Sequence, residues 1–288
     1  MIGFSDRLAA AVQQTGVGAC IGLDPHLDRL PGPLVDQYGP AEAAKQFCLG
    51  VIDVVAGHVP SVKPQVAFFE ALGAPGVAAL QEVVQAARDA GLIVVLDAKR
   101  GDIGSTARAY ARATIDPQGP MNAHSVTVSP YLGVESLVPY VPLCAQDRGL
   151  FALVRTSNPG AGLWQNSGAP SFAEHVAQWL TEQNAAHLGS CGLGPFGAVI
   201  GATLLDEAPK WRALIHNGWL LVPGYGAQGA TGKDLPPHFR ADGLGCLVVS
   251  ARGVLFPKSG RGGDDWKDGV LTRLQTMCDD LKAHTPRP

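Results

Sequence analysis

Charge is scarce in this 288-residue chain: Lys, Arg, Asp and Glu together make up 16% of it, with a formal net charge of −3 at pH 7. No basic run occurs, which argues against nucleic acid as a partner and leaves small anions to be held by local groups. Cysteine is sparse too. The six thiols (Cys20, Cys48, Cys144, Cys191, Cys246, Cys278) are scattered without a C-x-x-C pair, so buried thiols in a reducing compartment fit better than a zinc site or a disulfide framework. No apolar run approaches the roughly 20 residues that span a bilayer, and the opening M-I-G-F-S-D-R-L lacks an apolar signal core, so no membrane association and a cytoplasmic location are expected. A glycine-rich turn after the first strand, the mark of a dinucleotide-binding sheet, is also missing.

What the chain does have is apolar material, 46% of its residues, enough for one large core. Its apolar runs recur with helical patterns between most of them. After a short leading helix over Asp6 to Gln14, strands are expected at 18–24, 61–69, 92–99, 125–131, 150–157, 196–203, 219–228 and 246–253. Helical periodicity marks 41–56, 76–90, 105–113, 171–187 and 266–283, while 158–170 and 254–265 read as loops. Eight short strands alternating with helices match a (β/α)8 TIM barrel of the α/β class, formed as a single domain over 1–288.

Polar residues gather where these strands end: Asp24, Lys63, Asp97, Lys99, Ser157, Gln228 and Arg252. A lone D-x-K at a strand end reads most simply as a surface salt bridge. Recurrence on six of the strands argues for more, because in a barrel those ends share one face. Asp97 and Lys99 are two apart and so point to the same side of an extended strand. Asp102 falls at the mouth of the following helix, which Ser105 or Thr106 is placed to cap. Near the seventh strand end, P-G-Y-G-A-Q-G-A-T-G brings Gly224, Gly226, Gly229 and Gly232 where backbone N–H groups can approach an anion, and Arg252 adds a forked cation suited to phosphate.

The run D-A-K-R-G-D-I-G-S-T at 97–106, with I-G-L-D-P, V-K-P-Q, T-S-N-P-G-A, P-G-Y-G-A-Q-G and S-A-R-G in order, resembles the orotidine 5′-phosphate decarboxylase family in its longer bacterial branch, over nearly the whole chain. Ala230 stands where many members carry a further glycine. The resemblance implies a homodimeric (β/α)8 barrel that turns orotidine 5′-phosphate into uridine 5′-phosphate with no metal or organic cofactor. It further implies that Lys99 protonates C6, within a charge array of Lys63, Asp97 and Lys99 completed by Asp102 of a second subunit, which also lends Thr106. Asp24 and Lys63 would hold the ribose hydroxyls, Ser157 the pyrimidine edge, and Gln228 with Arg252 the phosphate. A sister sugar-phosphate chemistry working through a Mg²⁺-held enediolate would want an extra carboxylate on the early strands, where this chain offers Lys63.

Overall fold

In the computed structural model, which describes residues 3–257 and 259–288, eight parallel strands close into a barrel in sequence order. They are β1 (Ala19–Leu23), β2 (Ser61–Pro64), β3 (Ile93–Arg100), β4 (Ser125–Val128), β5 (Gly149–Arg155), β6 (Gly194–Ile200), β7 (Gly218–Pro223) and β8 (Cys246–Ser250). Pairing runs from β1 to β2 and onward until β8 pairs with β1, so no strand edge is left open.

Alternation along each strand divides the core in two. Ile93 and Val95 of β3, Phe151 of β5, Val199 of β6, Trp219 and Leu221 of β7, and Leu247 and Val249 of β8 cluster inside the barrel. Their neighbours Val94, Leu96, Val126, Leu150 and Val248 belong instead to the layer between sheet and helices, which includes Phe47, Val51 and Leu80. The N-terminal helix Phe4–Thr15 does not join that outer layer. Its apolar face, Phe4, Leu8 and Val12, packs with the interior cluster, with the Phe4 ring edge-on to Phe151 at 6.4 Å. It seals the end of the barrel opposite the strands' carboxyl termini.

The expected strands are all present, but several are shorter than the sequence suggests. β2 stops at Pro64, and residues 66–69, expected as strand, lie in the helical turn Val66–Glu70. β4 ends at Val128 rather than 131, β7 at Pro223 rather than 228, and β8 at Ser250, so Arg252 opens a short helix, Arg252–Leu255, instead of extending the strand. The loop expected at 158–170 contains the helical turn Ala161–Gln165. The helix after β3 starts at Gly104 with Ile103 at its N-cap and no side-chain cap, which corrects the capping role expected of Ser105 or Thr106. Asp102 turns its Oδ1 to the N–H of Ile103 instead, at 2.7 Å.

Candidate active site

The strands' carboxyl ends surround a cavity of about 330 Å³ whose lining includes Asp24, Lys63, Asp97, Lys99, Ser157, Gln228 and Arg252. Seven residues scattered over more than two hundred positions thus meet as the sequence suggests. Asp102 and Thr106 do not join them: neither lines the cavity, and Thr106 is exposed.

At the cavity floor Asp97 lies between two ammonium groups. Lys63 Nζ sits 2.7 Å from Oδ2, and Lys99 Nζ sits 2.6 Å from Oδ1. Two further donors complete its shell, Gln65 Nε2 to Oδ2 at 2.9 Å and the Thr127 hydroxyl to Oδ1 at 2.9 Å. Asp97 and Lys63 are buried, whereas the Lys99 side chain is 46% exposed to the cavity side. Burial works against both buried charges and is outweighed in each case. Lys63 and Lys99 hold the Asp97 carboxyl below the usual carboxylate range, and Asp97 with Asp24 holds the Lys63 ammonium above the usual lysine range.

Lys99 does not reach Asp97 along a regular strand. Its φ is +46°, in the left-handed region that side chains rarely adopt, and the β3–β4 register shifts between Leu96 and Arg100. The Lys99 N–H is satisfied by the Thr127 hydroxyl oxygen at 3.0 Å, which fixes this irregular backbone from the neighbouring strand. Across the cavity, Ser157 donates to Gln228 Oε1 at 3.0 Å. Asp24 Oδ1 is buried without a hydrogen-bond partner, an acceptor available to a hydroxyl in the cavity.

Residues 19–259 match the family model described as Orotidine 5′-phosphate decarboxylase / HUMPS family. The chain belongs to that family. Among curated relatives, the orotidine 5′-phosphate decarboxylase of Rhodopirellula baltica is 42% identical over 98% of this chain and 100% of its own length. That of Streptomyces coelicolor is 41% identical over 96% of this chain and 94% of its own. A solved structure from Streptomyces avermitilis superposes with a TM-score of 0.84 at 38% identity, covering 99% of this chain and 96% of the other.

Within this member of the orotidine 5′-phosphate decarboxylase / HUMPS family, several residues in or behind the cavity wall carried no sequence signal strong enough to single them out. Thr127 hides in the strand S-V-T-V, and only its inward register beside β3 gives it a role. Gln65 stands in V-K-P-Q, just past the end of β2. Asn158 lies in a loop whose path no periodicity reveals, and Tyr225, expected within the strand 219–228, lies in the loop beyond Pro223. His124, buried at the opposite end of β4 from the site, accepts the Val94 N–H and belongs to the scaffold.

Proposed function

We propose that this chain decarboxylates orotidine 5′-phosphate to uridine 5′-phosphate, the reaction that names its curated relatives. One observation carries the reading: two lysine ammonium groups flank the carboxylate of Asp97 on the floor of the cavity, and of the two only Lys99 extends from it into open space.

Breaking the bond between C6 and the carboxylate carbon releases carbon dioxide and leaves an electron pair in the ring plane, where no adjacent carbonyl can absorb it. The Lys99 ammonium stabilises that pair and then gives C6 its proton. Asp97 keeps Lys99 and Lys63 in place and charged. Asp24 and Lys63 hold the ribose hydroxyls, Ser157 the pyrimidine edge, and Gln228 with Arg252 the phosphate. One preorganised contact contributes about 3 to 4 kcal/mol, whereas enzymes commonly lower barriers by about 8 to 23 kcal/mol. Binding energy from the distant phosphate is the natural additional source.

The reaction in this reading needs no metal. In support, both Asp97 oxygens are already taken by ammonium groups, and Glu70, the carboxylate following β2, pairs with Arg100 outside the cavity. Those two facts also weigh against an enediolate chemistry on Mg²⁺.

A second copy of the chain completes the array with Asp102 and Thr106. Its support is the surface around them: Ile103, Val134 and Val138 beside their segment, and Tyr131 and Trp164 beyond it, are large apolar side chains left 46–70% exposed. Free cysteines throughout fit a cytoplasmic location.

Loss of orotidine 5′-phosphate absorbance in chelator-treated buffer tests the reaction. Turnover that persists with the chelator supports it. Tight uridine 5′-phosphate binding without turnover would leave a silent binding protein, and chelator-sensitive activity on a sugar phosphate would favour the enediolate alternative.

A further inference from the structure

The glycine-rich loop that follows β7 is tied at both ends to one atom. Tyr225, near its start, donates its hydroxyl to Oδ2 of Asp280 at 2.8 Å, and Gly232, just past its end, donates its backbone N–H to the same oxygen at 2.7 Å. Asp280 lies on the C-terminal helix Trp266–His284, far from the loop in sequence, and its other oxygen is 3.0 Å from His284 Nδ1. The approach at Gly232 is close enough to require glycine, since a Cβ there would lie 2.7 Å from the Asp280 carbonyl oxygen and 2.8 Å from Oδ2. Between the two ties the chain folds on itself, with the Gly226 N–H donating to the Ala230 carbonyl at 2.8 Å, and it carries Gln228 over the cavity. Gly226 and Gly229, on either side of Gln228 and between the ties, have positive φ of 72° and 98°, a conformation glycine adopts without strain.

We propose that Asp280 is a positioning residue for the phosphate end of the site: by pinning Tyr225 and Gly232 to one carboxylate oxygen, it confines loop movement to the segment that carries Gln228. The proposal rests on the reading of Gln228 as a phosphate ligand. A loop with fixed ends has fewer open arrangements to give up when it settles on an anion, so less of the phosphate's binding energy is lost to ordering. Asp280 touches no substrate and acts only through the loop.

The test compares inhibition by uridine 5′-phosphate with inhibition by uridine, which lacks the phosphate, in Asp280→Ala, Asp280→Asn, Tyr225→Phe and Gln228→Ala chains. Asp280→Ala is expected to weaken uridine 5′-phosphate about tenfold and to raise KM similarly, with uridine inhibition and kcat at saturation nearly unchanged. Asp280→Asn, which retains an acceptor oxygen, recovers most of the loss, and Tyr225→Phe, which removes one tie and leaves the carboxylate, falls between. In a Gln228→Ala background, Asp280→Ala has little further effect on uridine 5′-phosphate. Equal weakening of both ligands, no weakening of either, or an undiminished effect without Gln228 overturns the proposal. If Gln228→Ala alone fails to separate the two ligands, the phosphate reading itself falls and takes this proposal with it; if Gln228→Ala separates them and neither Asp280→Ala nor Tyr225→Phe does, only the positioning role fails.

Discussion

Thr127 is bonded to Asp97 through its hydroxyl hydrogen, at 2.9 Å from Oδ1, while the same hydroxyl oxygen accepts the backbone N–H of Lys99. One side chain on β4 therefore orients the carboxylate and holds the left-handed backbone next to it. Replacing Thr127 with Val keeps its shape but leaves that N–H and one carboxylate lone pair unsatisfied, each a cost of about 1 to 3 kcal/mol. We expect kcat to fall at least about tenfold, and Thr127→Ser to restore most of it. Steady-state kinetics on both variants checks this.

The Asp97→Asn chain strands a cation. Lys63, with 8% of its side chain exposed, loses its closest counter-charge. Breaking a buried pair in this way costs about 3 to 5 kcal/mol of folding stability. Urea denaturation should show the loss, and adding Lys63→Met should recover part of it.

For Lys99, about half exposed, the expectation is the reverse. Lys99→Ala should leave the unfolding midpoint within the range of surface substitutions, and uridine 5′-phosphate binding largely intact, while product formation falls by at least about a hundredfold. Near-normal turnover would remove Lys99 from the reaction.

Mixing inactive Lys99→Ala and Asp102→Ala chains tests the shared site. A mixed dimer contains one centre with both residues, so activity should reappear after subunit exchange. No recovery, with exchange verified by mass spectrometry, would confine each site to one chain.

Acid should weaken the fold through histidine before it reaches the charge array. Burial, reinforced by Arg7, Arg88 and Arg148, pushes His124 down to about 3, and burial pushes His238 down as well. As pH falls below the ordinary histidine value of about 6.5, the unfolded chain takes up protons that the folded chain refuses, so each site removes about 1.4 kcal/mol per pH unit until its folded value is reached. His124→Asn, which keeps an acceptor for the Val94 N–H, should flatten the stability profile between about pH 6 and 4 by one proton. The Asp97 contribution, from a carboxyl lowered on folding, persists there and is lost only at pH values below the ordinary carboxylate range. That of Lys63, raised on folding, is lost only above the ordinary lysine range.

Most strands were legible because they are buried on both faces and read as apolar runs, as in β3 up to Asp97, β5 and β6. Their ends were not, because the residues that face the cavity leave the hydrogen-bond ladder just where the chemistry begins: β2 halts at Pro64, β7 at Pro223, and Arg252 follows β8 on a separate turn. The connections into the fifth and eighth strands carry only short turns around Pro139, Pro142, Pro236 and Pro237, which cannot donate to a helical ladder. Asp24, Lys63, Asp97 and Lys99 were legible as charges at strand ends. The hydroxyl of Thr127 and the carboxylate of Asp280 were not, since only the barrel's register and the return of the last helix bring them near the site.

The helix bearing Phe4, Leu8 and Val12 works as a stopper. A chain cut back past Val12 would wet the underside of the interior cluster at Phe151 and Trp219, leaving that one layer of packed side chains as all that separates the buried lysine and its carboxylate from solvent below.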